Sequence, residues 1–216
     1  VLAPQAKLGA TVDAIAASVR RLYPEIDTTS DYTAIISQRH FARLKAMVAE
    51  AKDAGAKVVE VGSANALDPQ RKLPFTIVVD PPQHLALMKE EIFGPVLPVL
   101  GVSGREDALK RINDGDRPLA LYWFGTDDGA RDDALRRTIS GGVTVNDTLW
   151  HVAQEHLPFG GVGKSGIGAY HGEKGFETFS HMKPVFYQSK FASNKMLYPP
   201  FSEKTDKLLK MVRKII

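Results

Sequence analysis

A chain of 216 residues, 44% hydrophobic and 25% charged, holds one large domain or two small ones and has the composition of a folded globular protein. Its 28 basic and 25 acidic residues are interleaved and sum to only +3, which argues against a nucleic-acid surface, and the complete lack of cysteine excludes disulfides and thiolate metal sites. No apolar run nears the roughly 18–20 residues that span a bilayer, and the amino terminus has no basic-then-apolar signal pattern, so no membrane partner and a cytoplasmic location are expected.

In chain order, Leu8, Val12, Ile15, Val19 and Leu22 recur at three- and four-residue intervals and predict a helix ended by Tyr23-Pro24. Phe41, Leu44, Met47, Val48 and Ala51 repeat the pattern in a second helix reaching about Gly55. Short β-branched runs at 58–61 and 75–79, the latter bounded by prolines, predict strands, and residues 62–72 between them read as a surface loop. From Val96 the order becomes regular: strand 96–102, helix from Ser103, strand 119–124, helix 129–138, strand 143–145. That alternation predicts an α/β layer with a partly parallel sheet flanked by helices. Ser103 and Glu106 have capping-box spacing, and Gly115 fits just past the helix end. Residues 148–175 carry Pro158 and seven glycines, which forbids a long regular element. A last strand at 183–188 and a terminal helix striped by Leu208, Leu209, Val212, Ile215 and Ile216 complete the pass. Lys204, Lys207, Lys210, Arg213 and Lys214 surround that stripe, which is expected to pack on the body of the protein rather than lie on an anionic membrane.

Among motifs, Gly161, Gly163 and Gly166 fit a dinucleotide-binding G-x-G-x-x-G, but Pro158 stands just before them, and Gly168 and Gly172 interrupt the stretch after them. A true fingerprint follows a strand and opens a helix. The Gly163-Lys164-Ser165 triplet fails as a phosphate loop, because the glycine required five residues earlier is Pro158. The run therefore reads as a glycine loop shaped for close backbone packing. His151 and His156 are five apart, not on one helical face, and no metal site is expected. Glu90 and Glu91 are adjacent and diverge, so they form no acid and base pair. Their company is more informative: Phe93 and a Gly94-Pro95 turn lead into a buried strand. A carboxylate there can accept two hydrogen bonds from a ribose diol, and an aromatic ring beside it can pack on a nicotinamide, but spacing alone favours the commoner reading, one solvated carboxylate and one that caps or pairs locally.

Several long segments, in order, resemble the aldehyde dehydrogenase superfamily. They are Glu90-Glu91-Ile92-Phe93-Gly94-Pro95-Val96, Arg117-Pro118-Leu119-Ala120-Leu121-Tyr122, Ser140-Gly141-Gly142-Val143-Thr144-Val145-Asn146-Asp147, Leu157-Pro158-Phe159-Gly160-Gly161-Val162-Gly163 and Gly168-Ala169-Tyr170-His171-Gly172. Phe176-Glu177-Thr178-Phe179-Ser180-His181 and Tyr198-Pro199-Pro200 point to the class 3 branch, and Trp150-His151-Val152-Ala153-Gln154 looks most like its coniferyl aldehyde dehydrogenases. The resemblance implies the family's α/β catalytic domain over 1–182 with an oligomerisation arm at about 141–158, a terminal strand and helix over 183–216, and a homodimer. It implies NAD or NADP as coenzyme, with Glu91 on the nicotinamide ribose and Phe93 near the nicotinamide, and a substrate channel bordered by Phe159 and His171. The family works through a cysteine thioester. Val1-Leu2-Ala3-Pro4 resembles the strand that follows that cysteine, so the expectation is a carboxyl-terminal part whose nucleophile and general base lie upstream, inactive alone, from a parent oxidising an aromatic aldehyde to its acid. A medium- or long-chain aldehyde is the rival substrate. A non-catalytic dimerisation module is the rival from another class, and a relative reducing an acyl phosphate ranks last.

Overall fold

The computed structural model describes residues 1–191 and 197–214. Its framework is a four-stranded sheet in the order β1-β4-β3-β2, built from β1 (Leu2–Pro4), β2 (Lys57–Val61), β3 (Phe75–Val79) and β4 (Val96–Val102). β4 runs parallel to both β1 and β3, and only the edge strand β2 is antiparallel, so the sheet is partly parallel as expected. Two long helices cover it. On one side α1 (Leu8–Leu22) lays Leu8, Val12, Ala16 and Val19 against Ile77 and Val99. On the other α2 (Gln38–Asp53) lays Phe41, Leu44, Met47, Val48 and Ala51 against Val78 and Val96. The period of two in β3, Ile77 to one face and Val78 to the other, divides the core into these two layers.

A second, two-stranded parallel sheet pairs β5 (Ala120–Trp123) with β6 (Gly142–Val145). Before it comes α4 (Arg105–Asp114), and α5 (Asp128–Arg137) connects the two strands. Arg137 joins the helices through Glu106 at 2.6 and 2.7 Å. The chain then loops to α6 (Gly172–Thr178) and ends in α7 (Glu203–Val212).

Four expectations need correction. Residues 62–72 are not a simple surface loop: α3 (Ala64–Leu67) and a 3₁₀ turn occupy them, because Leu67 is fully buried in the α1 layer and draws the segment inward. The Ser103 and Glu106 box does not form. Gly104 takes the N-cap place one residue later, so Asp107 accepts from the Ser103 N–H and hydroxyl at 3.0 and 3.3 Å while Glu106 turns to Arg137. Residues 183–188 form no strand, since within the described chain no sheet edge pairs with their N–H and C=O groups. The terminal stripe packs only in part: Leu208 is half-buried beside the buried Thr205, whereas Leu209 and Val212 are 47% and 40% exposed. Ile215 and Ile216 lie outside the described residues.

Candidate functional site

The loop that feeds β4 has no regular structure at Glu91, Ile92 and Phe93, and hydrogen bonds from α2 hold it. The Arg43 guanidinium, one turn into the helix, donates through Nη2 to the carbonyls of Glu91 and Ile92 at 2.9 and 2.8 Å, and through Nη1 to the Glu90 carboxylate at 3.2 Å. His40 bonds the Phe93 carbonyl through Nε2 at 2.8 Å. Ser37 caps the helix, its hydroxyl accepting the His40 N–H at 3.2 Å, and so sets where His40 leaves the first turn. Gly94 closes the loop onto the helix: a Cβ there would stand 2.4 Å from Cδ1 of Leu44, which is 0% exposed.

Phe93 adopts φ +48°, a left-handed conformation that a bulky side chain rarely takes. The result is a ring that is 74% exposed, lying edge-on to His40 at 6.2 Å between centroids. Glu91, exposed and with its backbone carbonyl held, lines the same open cavity of about 620 Å³ together with Ile36, Ser37, Arg39, His40, Arg43 and Phe93. A smaller adjoining cavity reaches Tyr32. That phenol donates to the Leu73 carbonyl at 2.7 Å, and burial with the neighbouring Tyr23 pushes its pKa far above the ordinary value. It is therefore a fixed neutral donor beneath the site.

A second group forms around the two-stranded sheet. Phe159 and Tyr170 exchange backbone hydrogen bonds at 2.8 and 2.9 Å, an isolated antiparallel bridge that brings their neighbours together. Phe159 stacks on His171 at 5.9 Å and 23° and meets Tyr170 edge-on at 5.5 Å. Behind Phe159 lies His151, 7% exposed, with its Nδ1 2.8 Å from the Thr144 hydroxyl and its ring against Gly142, where a Cβ would approach within 2.4 Å. His151 Nε2 and His171 Nδ1 are buried without a hydrogen-bond partner among the described residues. The glycine run packs backbone on backbone, as its sequence context predicted. A Cβ at Gly160 would fall 2.0 Å from the Gly168 carbonyl oxygen, and one at Gly161 2.1 Å from that of Ser165. A 3₁₀ turn at Gly163–Ser165, not a helix, succeeds it.

Glu91 and Phe93 thus share one cavity, and Phe159 and His171 share one stack. Among the described residues no hydrogen bond or ring contact joins the two groups. Sequence reasoning missed His40 and Arg43, which read as polar residues on an amphipathic helix, and the burial of His151 behind Phe159.

The profile of the aldehyde dehydrogenase family matches residues 4–185. A probable coniferyl aldehyde dehydrogenase of Caulobacter vibrioides is 50% identical over 214 residues, covering 97% of this chain and 44% of that protein. A coniferyl aldehyde dehydrogenase of a Pseudomonas species is 41% identical over 216 residues, covering 98% and 45%. A dimeric NADP-preferring aldehyde dehydrogenase of Mus musculus is 42% identical over 192 residues, covering 88% and 41%. The substrate-bound AldH of Staphylococcus aureus superposes with a TM-score of 0.82 at 32% identity, covering 98% of this chain and 45% of that one. A Mycobacterium tuberculosis aldehyde dehydrogenase complexed with NAD+ gives 0.70 at 25%, covering 88% and 40%. The chain spans less than half the length of these relatives. Among the described residues no helix is long and apolar enough to cross a membrane.

Proposed function

The chain belongs to the aldehyde dehydrogenase family, and from that premise we propose that it is the carboxyl-terminal catalytic part of a nicotinamide-dependent enzyme that oxidises an aromatic, coniferyl-type aldehyde to its carboxylic acid. The observation that carries the reading is the Glu90 to Val96 loop, whose backbone is tied to α2 while Glu91 and Phe93 are left exposed on one cavity. These two groups fit a nicotinamide riboside: a carboxylate accepts both hydrogen bonds of a vicinal diol, and a flat apolar ring packs against the nicotinamide. When bound, NAD or NADP supplies the hydride acceptor. Glu91 and Phe93 orient that acceptor.

On the substrate side, Phe159 and His171 offer a stacked pair of flat surfaces with Tyr170 at their edge. Such a wall suits a planar phenylpropenal better than a flexible alkyl chain, and the coniferyl names of two relatives support the same choice. The chain holds no cysteine, so it offers no thiolate to attack a carbonyl, and no catalytic residue is assigned within it. A homodimer and a cytoplasmic location belong to the same proposal, the first supported by the dimeric mouse relative.

The test assays the parent protein and this chain alone with NAD+ and NADP+ against coniferyl aldehyde and a series of saturated aliphatic aldehydes. The expected result is turnover by the parent, with kcat/KM about tenfold or more in favour of the aromatic aldehyde, and none by the chain alone. Preference for long aliphatic aldehydes transfers the assignment to fatty aldehydes, and a parent that oxidises no aldehyde overturns it.

A further inference from the structure

Arg43 and His40 lie three residues apart on one face of α2, and together they hold three successive backbone carbonyls, those of Glu91, Ile92 and Phe93. The two side chains also contact each other: Arg43 Nε donates to His40 Nδ1 at 3.4 Å. A guanidinium has donors and no acceptor, so His40 Nδ1 must offer a lone pair and the ring proton sits on Nε2. That is the atom 2.8 Å from the Phe93 carbonyl, so the arginine selects the tautomer in which histidine donates to the loop.

The loop needs such fastening. Phe93 is left-handed at φ +48°, and the carbonyls of Glu91, Ile92 and Phe93 have no strand partner. A non-glycine residue in that region persists only where surrounding contacts over-determine it. We propose that His40 and Arg43 are positioning residues of the coenzyme site: acting through the loop backbone rather than touching the coenzyme, they set the direction of the Glu91 carboxylate and the Phe93 ring. The role rests on the coenzyme reading of that loop given above.

In the parent protein, His40→Ala, Arg43→Ala, His40→Gln and Glu91→Gln are compared by fluorescence titration with NAD+ and NADP+ and by steady-state kinetics. Removing either clamp raises the coenzyme Kd and KM about tenfold, the scale of one or two lost hydrogen bonds, and leaves the aldehyde KM within about twofold. His40→Gln, whose amide N–H can still donate to the Phe93 carbonyl, recovers most of the loss. A merely structural role lowers the melting temperature of the alanine variants without moving the coenzyme Kd, and that outcome overturns the proposal. If Glu91→Gln weakens coenzyme binding and the clamp variants do not, the positioning role alone falls; if Glu91→Gln also leaves binding intact, the coenzyme reading of the loop falls with it. Should Arg43→Ala fail to fold, Arg43→Lys decides, since one ammonium cannot span two carbonyls and the Glu90 carboxylate as the fork does. It is expected to weaken coenzyme about threefold, and unchanged affinity overturns the proposal.

Discussion

Gly94→Ala probes the seam between the Glu90 to Val96 loop and α2 most sharply. A Cβ at residue 94 lies 2.4 Å from Leu44 Cδ1, where ordinary contacts begin at 3.4 Å, so the new methyl overlaps the leucine by about 1 Å. Leu44 is fully buried in the layer between α2 and the sheet, so its tip has little room to retreat. Gly94 is not in the left-handed region, so the effect is steric and not conformational. Overpacking of this kind costs about 1–3 kcal/mol, and whatever is not lost as stability shifts the loop that carries Phe93. Leu44→Ala alone costs about 2–5 kcal/mol through the cavity it leaves. The double variant removes the overlap, so its cost falls below the sum of the singles by about the whole penalty of Gly94→Ala. Urea unfolding followed by circular dichroism reads all three values. A Gly94→Ala penalty under about 0.5 kcal/mol, or strict additivity with Leu44→Ala, would falsify the packing argument.

Thr144→Val removes the hydroxyl that meets both the backbone N–H and Nδ1 of buried His151; a loss of about 1–3 kcal/mol in urea unfolding is expected, and a neutral result would show that His151 repairs its bonds elsewhere. Gly161→Ala drives a methyl to 2.1 Å from the Ser165 carbonyl oxygen, where only backbone can yield. It should destabilise by at least about 1–3 kcal/mol, and a tolerated alanine contradicts the close-packing account of the glycine run. The Arg137 hydrogen bonds hold the Glu106 pKa below its ordinary value of 4.5, and the Ser103 N–H followed by Arg111 does the same for Asp107 below 3.8. Depressed carboxyls contribute stability that is present above the unfolded values and lost as pH falls through the folded ones. The urea midpoint should therefore drop on acidification below about pH 4.5, and drop less in Arg137→Gln; an equal fall in both proteins means that this pair does not carry the effect.

Much of the scaffold was legible because apolar periodicity reports burial directly. Leu8, Val12 and Val19 on one helix and Phe41, Leu44 and Val48 on the other mark the faces that meet the sheet, and the β-branched run of β3 marks its centre. Glu91 and Phe93 were legible as candidates by their company at the entry to a buried strand. Arg43 and His40 were not, because their partners are backbone carbonyls about fifty residues away, which leave no trace in residue type. The strand expected at 183–188 illustrates a different limit: pattern shows that a segment can be extended, but pairing requires an edge to receive it, and none within the described chain does so. Leu67 is the converse, an isolated apolar residue whose burial turned an expected loop into α3.

In the proposed site the Glu91 carboxylate holds the nicotinamide ribose. A crystal structure of the parent protein with NAD+ or NADP+ tests it directly: the account predicts both ribose hydroxyls within about 2.6–3.2 Å of the Glu91 carboxylate oxygens, with the Phe93 ring against the nicotinamide. A coenzyme whose nicotinamide ribose rests on other residues, leaving Glu91 in water, would contradict it.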